Sequence, residues 1–410
     1  MDGDGVSIND WTDERLIRAA LGSLLRYGAT AVLALAASHG PAEAWRRVSA
    51  GEEFAGAGTD GTGTAGAGAD GVPCGEAFAA WAAATDPRRV AEETEQANLR
   101  FLIPGDAEWP SALDELAGCS VGKLGGVPVG LWAAGPGHLA RWSQQGVAMV
   151  GSRAATRYGE SVAMRLASDL AGEAGQPHWS VVSGGAFGID SASHRGALLV
   201  SGRTIGVFAN GLDRPYPPGN TGLFRSLVDD GLVISELPPG AAPTRHGFLE
   251  RNRLIAALSQ GTIVVEAGLR SGARNTASWA GELGRVVMAV PGPVTSAMST
   301  TPHRLIRDGE AVLVAGAPDV RSMLQPVGQG DELPQVGASR PGDDLAGDAA
   351  VVREALPGRG ARSLSEMVLA SGVPLTRCLE ALHQLAGCGL ATMDDQGRWR
   401  VRRETAVNFF

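Results

Sequence analysis

Lysine is almost missing from this 410-residue chain: Lys123 stands alone, so the other 34 of its 35 basic residues are arginines. A phosphate loop of the GxxxxGK[ST] type needs a lysine before its hydroxyl residue, and no such segment occurs. The four cysteines, Cys74, Cys119, Cys378 and Cys388, are widely spaced and form no CxxC pair. That spacing excludes a zinc ribbon, a thioredoxin-type site and a disulfide framework. The seven histidines show no HExxH or HxH, so the metallohydrolase motif is absent. No metal and no cofactor is expected. No apolar run reaches the roughly 18 residues of a membrane span, and the opening MDGDGVSINDWTDE is acidic where a secretory signal is basic. A soluble, cytoplasmic protein without membrane contact is the expectation.

Glycine, by contrast, is abundant, at 58 residues, and its placement divides the chain. Residues 51–75 hold 9 glycines in 25 positions with almost no large apolar side chain, too little to offset the entropy of ordering, so a flexible insertion is expected. A second break rich in Gly, Pro and acid covers 322–348. The expected organisation is a helical N-terminal module (1–50), the insertion (51–75), a helical or irregular lead-in (76–146), a core (147–321), a linker (322–348), a C-terminal module (349–403) and a tail (404–410). The net charge of −9 hides a gradient: −9 over 1–144, +2 over 145–321 and −2 over 322–410. An anionic partner therefore suits the core.

Within the core, β-branched runs at 147–150, 181–183, 204–209, 232–235, 262–267, 286–290 and 311–314 alternate with helix-like stretches. Short, continuously apolar strands separated by room for a crossover helix indicate a mostly parallel sheet covered on both faces. The expected fold is α/β, Rossmann-like and doubly wound, and ligands in such sheets bind beyond the carboxyl ends of the strands. The residues found there carry phosphate-compatible chemistry. Gly151, Ser152 and Arg153 follow the first run, offering a tight turn, a hydroxyl and a guanidinium. Ser183, Gly184, Gly185, Ala186 and Gly188 follow the second, a turn able to present successive amides to an anion. Tyr216, in a Pro-rich loop, offers a face to a base, and Asn220 is placed to cap the next helix. Arg251, Asn252 and Arg253 are read as a basic helix start, where the macrodipole opposes them unless an anion is shared. Ser271, Gly272, Arg274 and Thr276 follow the fifth run. Asp190 and Glu266 are the acids placed to support the pocket. Neither Gly-rich turn is the GxGxxG dinucleotide fingerprint, which excludes hydride transfer.

The ordered series VAMVGSRAATRYG, SGGAFGIDSASHRGAL, GLDRPYPPGN, LVISELPPG, FLERNRLIAALS, TIVVEAGLRSG and VMAVPG resembles the DNA-processing protein A (DprA, or Smf) family, from about Phe101 to about Val314. The resemblance implies a non-catalytic protein that binds single-stranded DNA in natural transformation. It would shield incoming strands, assist RecA loading, displace single-strand-binding protein and act as a homodimer. It also implies strand contacts at Gly151, Ser152, Arg153, Ser183, Gly184, Gly185, Ala186, Gly188, Arg251, Asn252 and Arg253. The chain departs from the family pattern at Ser271–Ala277 (SGARNTA in place of SGSLITA), at Ser299–His303 (STTPH in place of a GTN-like turn), and after Tyr216, where no basic residue follows. Arg274 is a candidate replacement for that charge.

Val351–Arg403 reads as three helices and a hairpin, with Leu375, Leu379, Leu382 and Leu385 as the core stripe. In the hairpin Trp399 and Val401 alternate with Arg398, Arg400 and Arg402, a winged-helix pattern. The rival to strand binding is a phosphoribohydrolase-like enzyme acting on nucleoside monophosphates. Such enzymes resemble a PGGxGTxxE signature, and VVEAGLRSG stands in its place here. A pure interaction scaffold, blind to oligonucleotides, is the third reading.

Overall fold

The computed structural model describes residues 11–53, 74–172, 179–325 and 345–402. The expected insertion, linker and tail lie largely outside these residues. Two compact units divide near residue 331.

The first unit opens with helices α1 (Asp13–His39), α2 (Pro41–Ser49), α3 (Cys74–Ala83) and α4 (Pro87–Gln96). Thr12 starts α1 by accepting a hydrogen bond from the Arg15 amide. The helix bends at Gly28, where ψ is 64°, so the two short helices suggested by the sequence run on as one bent element. Leu21, Leu24, Val32 and Leu33 of α1 close a buried cluster with Val48 and Phe78.

Next come β1 (Arg100–Leu102), β2 (Ser120–Val121), β3 (Leu124–Gly125), β4 (Leu131–Ala134) and α5 (Leu139–Ser143). The alternating part follows: β5 (Gly146–Val150), α6 (Arg157–Gly172), β6 (Ser180–Ser183), α7 (Ile189–Leu199), β7 (Thr204–Phe208), α8 (Thr221–Asp230), β8 (Leu232–Ser235) and α9 (Arg245–Ala257). It ends with β9 (Gly261–Val264), α10 (Ala273–Glu282), β10 (Val286–Ala289), α11 (Thr300–Arg307), β11 (Val312–Leu313) and α12 (Ala317–Leu324).

Nine strands form one sheet in the order β1-β4-β8-β7-β6-β5-β9-β10-β11. From β8 to β11 all neighbours are parallel, whereas β4 pairs antiparallel with both β8 and β1. The lead-in is thus less irregular than its sequence suggests. Its runs RFL and LWAA are too short for a period to show, and pairing to an existing sheet edge makes them strands. The pleat sends alternate residues to opposite faces: Val147 and Met149 pack with Leu166 and Ala167 of α6, while Ala148 and Val150 join Leu254 of α9 and Trp279 of α10. Each such large side chain contributes about 1.5–3 kcal/mol on burial. From β5 the chain builds outward to β8, then returns to place β9 on the other side of β5. The topological switch point therefore lies between β5 and β9, where open α/β sheets bind ligands.

The second unit contains α13 (Asp348–Ala355), α14 (Leu364–Ser371), α15 (Leu375–Gly387) and an antiparallel hairpin of β12 (Ala391–Met393) and β13 (Trp399–Val401). Ser363 and Glu366 form a reciprocal capping box at the start of α14. The buried face of α15 is Cys378, Ala381, Leu382 and Leu385, whereas Leu375 and Leu379 are exposed. The four-leucine stripe is corrected accordingly: spacing marks a helix face, but the packed neighbours cover only its later turns. Arg398 pairs with Asp394 at 3.1 Å, so the hairpin's own acid neutralises one of its three arginines. Among the described residues no helix is long and apolar enough to cross a membrane, and no cluster of metal-ligating side chains occurs.

Candidate nucleic-acid interface

At the carboxyl ends of β5, β6 and β7 the chain turns into α6, α7 and the 209–217 loop, leaving a cleft of about 90 Å³. Its walls are Arg153, the Gly184–Phe187 turn, Phe208, Asn210, Tyr216 and Phe248. Arg153 lies over the Phe248 ring with its Cζ 4.5 Å from the centroid, and the Tyr216 ring lies tilted against that ring with centroids 5.9 Å apart. Phe187 is 46 % and Tyr216 37 % exposed. Two flat apolar faces and a cation at one opening match the stacking and charge that a nucleotide requires.

Arg251 is buried behind Gly184, one of the wall residues. Its Nη1 donates to Gly184 O at 2.9 Å and to Val207 O, and its buried Nε has no acceptor. A β-carbon on Gly184 would run into this guanidinium, which is why the residue there is glycine. Gly188 has φ +73°, and a β-carbon on it would strike Ser152 O. Among the described residues no carboxylate comes within ion-pair distance of Arg251 or Arg153, and burial pulls the Arg251 pKa down to about 10, opposed by the charge of Asp190. It therefore stays cationic at neutral pH. One guanidinium in the wall and a second buried behind it make the cleft favourable for an anion.

Asp190 is buried and accepts from the Ala186 amide at 3.4 Å. Burial raises its pKa, against the pull of Arg251. Below it His194 is fully buried, with Nδ1 2.7 Å from Thr204 Oγ1. Burial, reinforced by the Arg251 charge, lowers its pKa to about 3, so it is neutral. Glu266 holds the start of α6, accepting from the Thr156 amide at 2.9 Å and the Thr156 hydroxyl at 2.7 Å. Asn220 occupies the N-cap position of α8, but its side chain makes no capping hydrogen bond. Its Nδ2 donates instead to Gly185 O at 3.1 Å and Ser191 Oγ at 2.7 Å, bracing the glycine turn from beneath.

Residues 100–325 match the family described as DNA recombination-mediator protein A. The chain belongs to this DprA/Smf family. A DNA processing protein DprA of Mycobacterium tuberculosis is 47 % identical over 312 residues, covering 75 % of this chain and 78 % of the relative. Protein Smf of Escherichia coli is 38 % identical over 245 residues, 58 % of this chain and 61 % of its own length. The crystal structure of DprA from Streptococcus pneumoniae superposes with a TM-score of 0.54 at 34 % identity, over 62 % of this chain and 83 % of that one.

Several residues expected in a DprA/Smf strand site stand elsewhere. Arg251 and Arg253 are not at a helix start, because α9 begins at Arg245, capped by Thr244; the macrodipole conflict disappears. Arg253 points away from the cleft and pairs with Glu236 through both Nη atoms, at 2.5 and 2.6 Å. One residue along a helix turns the side chain about 100°, so neighbours two apart face nearly opposite ways. Asn252 Nδ2 is bound to Asn275 Oδ1 at 3.1 Å. Arg274, the candidate replacement cation, pairs with Glu310 at 3.1 Å. Ser183 is buried, and its hydroxyl donates to Met149 O at 2.6 Å. Ser271 and Gly272 belong to the β9–α10 turn and Thr276 to the first turns of α10, and none of the three lines the cleft. Phe187, Phe208, Asn210 and Phe248 were missed. Phe248 lies three residues before Arg251, on the same helix face, a spacing that marks it once the limits of α9 are known.

Proposed function

We propose that this chain binds single-stranded DNA in the cleft between Arg153, Tyr216, Phe248 and the Gly184–Phe187 turn, as a non-catalytic recombination mediator. The observation that carries the reading is an aromatic-faced cleft with the Arg153 guanidinium stacked on Phe248 in its wall and the buried Arg251 guanidinium directly behind Gly184. Arg153 and Arg251 hold phosphate, Tyr216 and Phe187 stack bases, and Asp190, Glu266 and Asn220 keep the turns in place. As in the role implied by the family resemblance, the protein protects incoming strands in the cytoplasm and helps RecA replace single-strand-binding protein. It does so as a homodimer joined through β11, whose Val312 and Leu313 are exposed at the open edge of the sheet, a pairing surface for a second copy. The C-terminal unit is read as a winged helix.

Titration of single- and double-stranded oligomers at several salt concentrations tests the strand site. Tighter binding of single strands is expected, with log K falling by about 0.7 per phosphate contacted for each unit of log salt. Arg153→Ala and Arg251→Ala should each weaken binding about 10- to 100-fold, the worth of a charged hydrogen bond. Equal affinity for duplex, or full affinity in both variants with native circular dichroism, refutes the site. Release of free base from nucleoside monophosphates would favour the enzyme instead. For the dimer, Leu313→Arg should convert the particle to a monomer by light scattering.

A further inference from the structure

The second unit carries cations that the strand cleft does not use. In its hairpin the pleat turns Trp399 inward, where it is 3 % exposed, and sends Arg398, Arg400 and Arg402 to the opposite, outward face. Thr392 is paired with Arg400 across the ladder, and Leu390 O accepts from the Arg402 amide at 3.1 Å, so the partner strand adds no acid there. On the other edge of β13, Arg362 and Trp399 exchange both backbone hydrogen bonds, at 2.9 and 2.6 Å. That pairing brings the loop holding Arg359 to the same hairpin. Arg359, Arg400 and Arg402 are exposed, and among the described residues none of the three forms an ion pair. Arg398 is held by Asp394, and Asp395 is exposed in the turn, so the positive surface lies along β13 and not at the hairpin tip. The same unit lacks any exposed ring: Trp399 is the one Trp, Tyr or Phe between residues 345 and 402. An unpaired base therefore finds no platform on which to stack. The first turns of α15 expose Leu375, Leu379 and Glu380, while Arg377 is tied to Asp348, which leaves no free guanidinium there to read a base edge.

We propose that this face of the second unit binds duplex DNA through its phosphates alone, with Arg359, Arg400 and Arg402 each taking one phosphate and no base being read. A duplex keeps its bases stacked inside and presents its backbone at one charge per about 1.7 Å of axis. That is the form of nucleic acid suited to guanidiniums without neighbouring rings, whereas a single strand is held largely by stacking. Arg400 and Arg402 stand two residues apart, about 6.8 Å along an extended strand. Phosphates of one DNA strand follow each other every 3.4 Å or so of axis, so a hairpin laid along the duplex sets both arginines against the same DNA strand. Contacts of this kind fix position and supply affinity but carry no sequence information. The site shares no residue with the Arg153 cleft and does not rest on the strand-binding reading of it.

The test titrates the full chain with labelled blunt duplexes of about 20 base pairs, two helical turns, in two unrelated sequences, and separately with oligothymidylate, starting from about 50 mM salt. Arg359→Ala/Arg400→Ala/Arg402→Ala should lose about tenfold or more in duplex affinity, and its slope of log K against log salt should become shallower by about 2.7, for three phosphates at 0.9 each. Oligothymidylate, which gains most from stacking, should bind the triple variant within about twofold of wild type. Lysine at the same three positions keeps the charge that a phosphate needs, so that variant should hold the duplex within about threefold of wild type. The two duplexes should bind alike, because phosphates are all that is touched. Wild-type protein that fails to bind duplex, an alanine variant with unchanged affinity or slope, an equal loss for oligothymidylate, or a lysine variant as weak as the alanine one would overturn the site. Discrimination between the two sequences by about tenfold or more, the worth of a base contact, would overturn it as a backbone-only surface.

Discussion

Arg253→Met is expected to destabilise the first unit by about 3–5 kcal/mol, the cost of removing one member of a buried ion pair. The guanidinium is committed on every side: to both oxygens of Glu236, to Gly126 O at 2.9 Å through Nε, and to Glu250 O at 3.1 Å. Removing it leaves the Glu236 carboxylate buried and uncompensated next to Glu250, whose pKa is already raised, mainly by burial and further by the charge of Glu236. Replacing both partners, as Glu236→Leu/Arg253→Met, should recover most of the loss, because no unpaired charge is then left inside. Urea unfolding followed by tryptophan fluorescence measures both. A double variant as unstable as the sum of the two single ones would show that the residues do not act as a pair. A consequence for function follows from position: Arg251 lies on the same helix, so the pair that fixes α9 also fixes the guanidinium that braces the Gly184 turn, and the single variant should lose oligonucleotide affinity as well.

A pronounced acid sensitivity is expected from His194. Its pKa falls from 6.5 to about 3 on folding, so between those values the unfolded chain binds a proton that the folded chain does not. Stability contributed by the neutral ring is present above pH 6.5 and is lost as pH falls, by up to about 1.4 kcal/mol per pH unit, or of the order of 5 kcal/mol across the window. Asp190 acts in the opposite sense. Its raised folded pKa means that the folded chain holds the proton more tightly, so its contribution is largest at low pH and is lost as pH rises through the folded value. Comparing urea midpoints of wild type, His194→Asn and Asp190→Asn between pH 7 and 4.5 separates the two. The His194 variant should show the flatter dependence on the acid side, and parallel curves for it and wild type would contradict the assignment. The same groups bear on binding: protonated Asp190 no longer competes for Arg251, so strand affinity should weaken as pH rises through its titration, and this trend should vanish in Asp190→Asn.

The sequence by itself determined the parallel sheet, the strands from 147 to 314 and the turns at their carboxyl ends. All of these are local: short apolar runs bounded by turn residues and spaced to leave room for crossover helices mark strands, and a glycine pair after one is a turn. It also marked Arg153, Gly184, Ala186 and Tyr216, which do line the cleft. Only the tertiary structure decided which arginine approaches it. Arg251 and Arg253 are two positions apart on one helix, and the rotation of that helix, set by the Glu236 pair and by sheet packing, sends one behind the Gly184 turn of the cleft and the other into an internal salt bridge. The same holds for Arg274, which meets Glu310 from a distant segment, and for β1 and β4, strands only because β8 offers them an edge. Residue type and spacing fix what a side chain is able to do. Which partner it finds depends on elements far apart in the chain, and that is settled when the sheet closes around them.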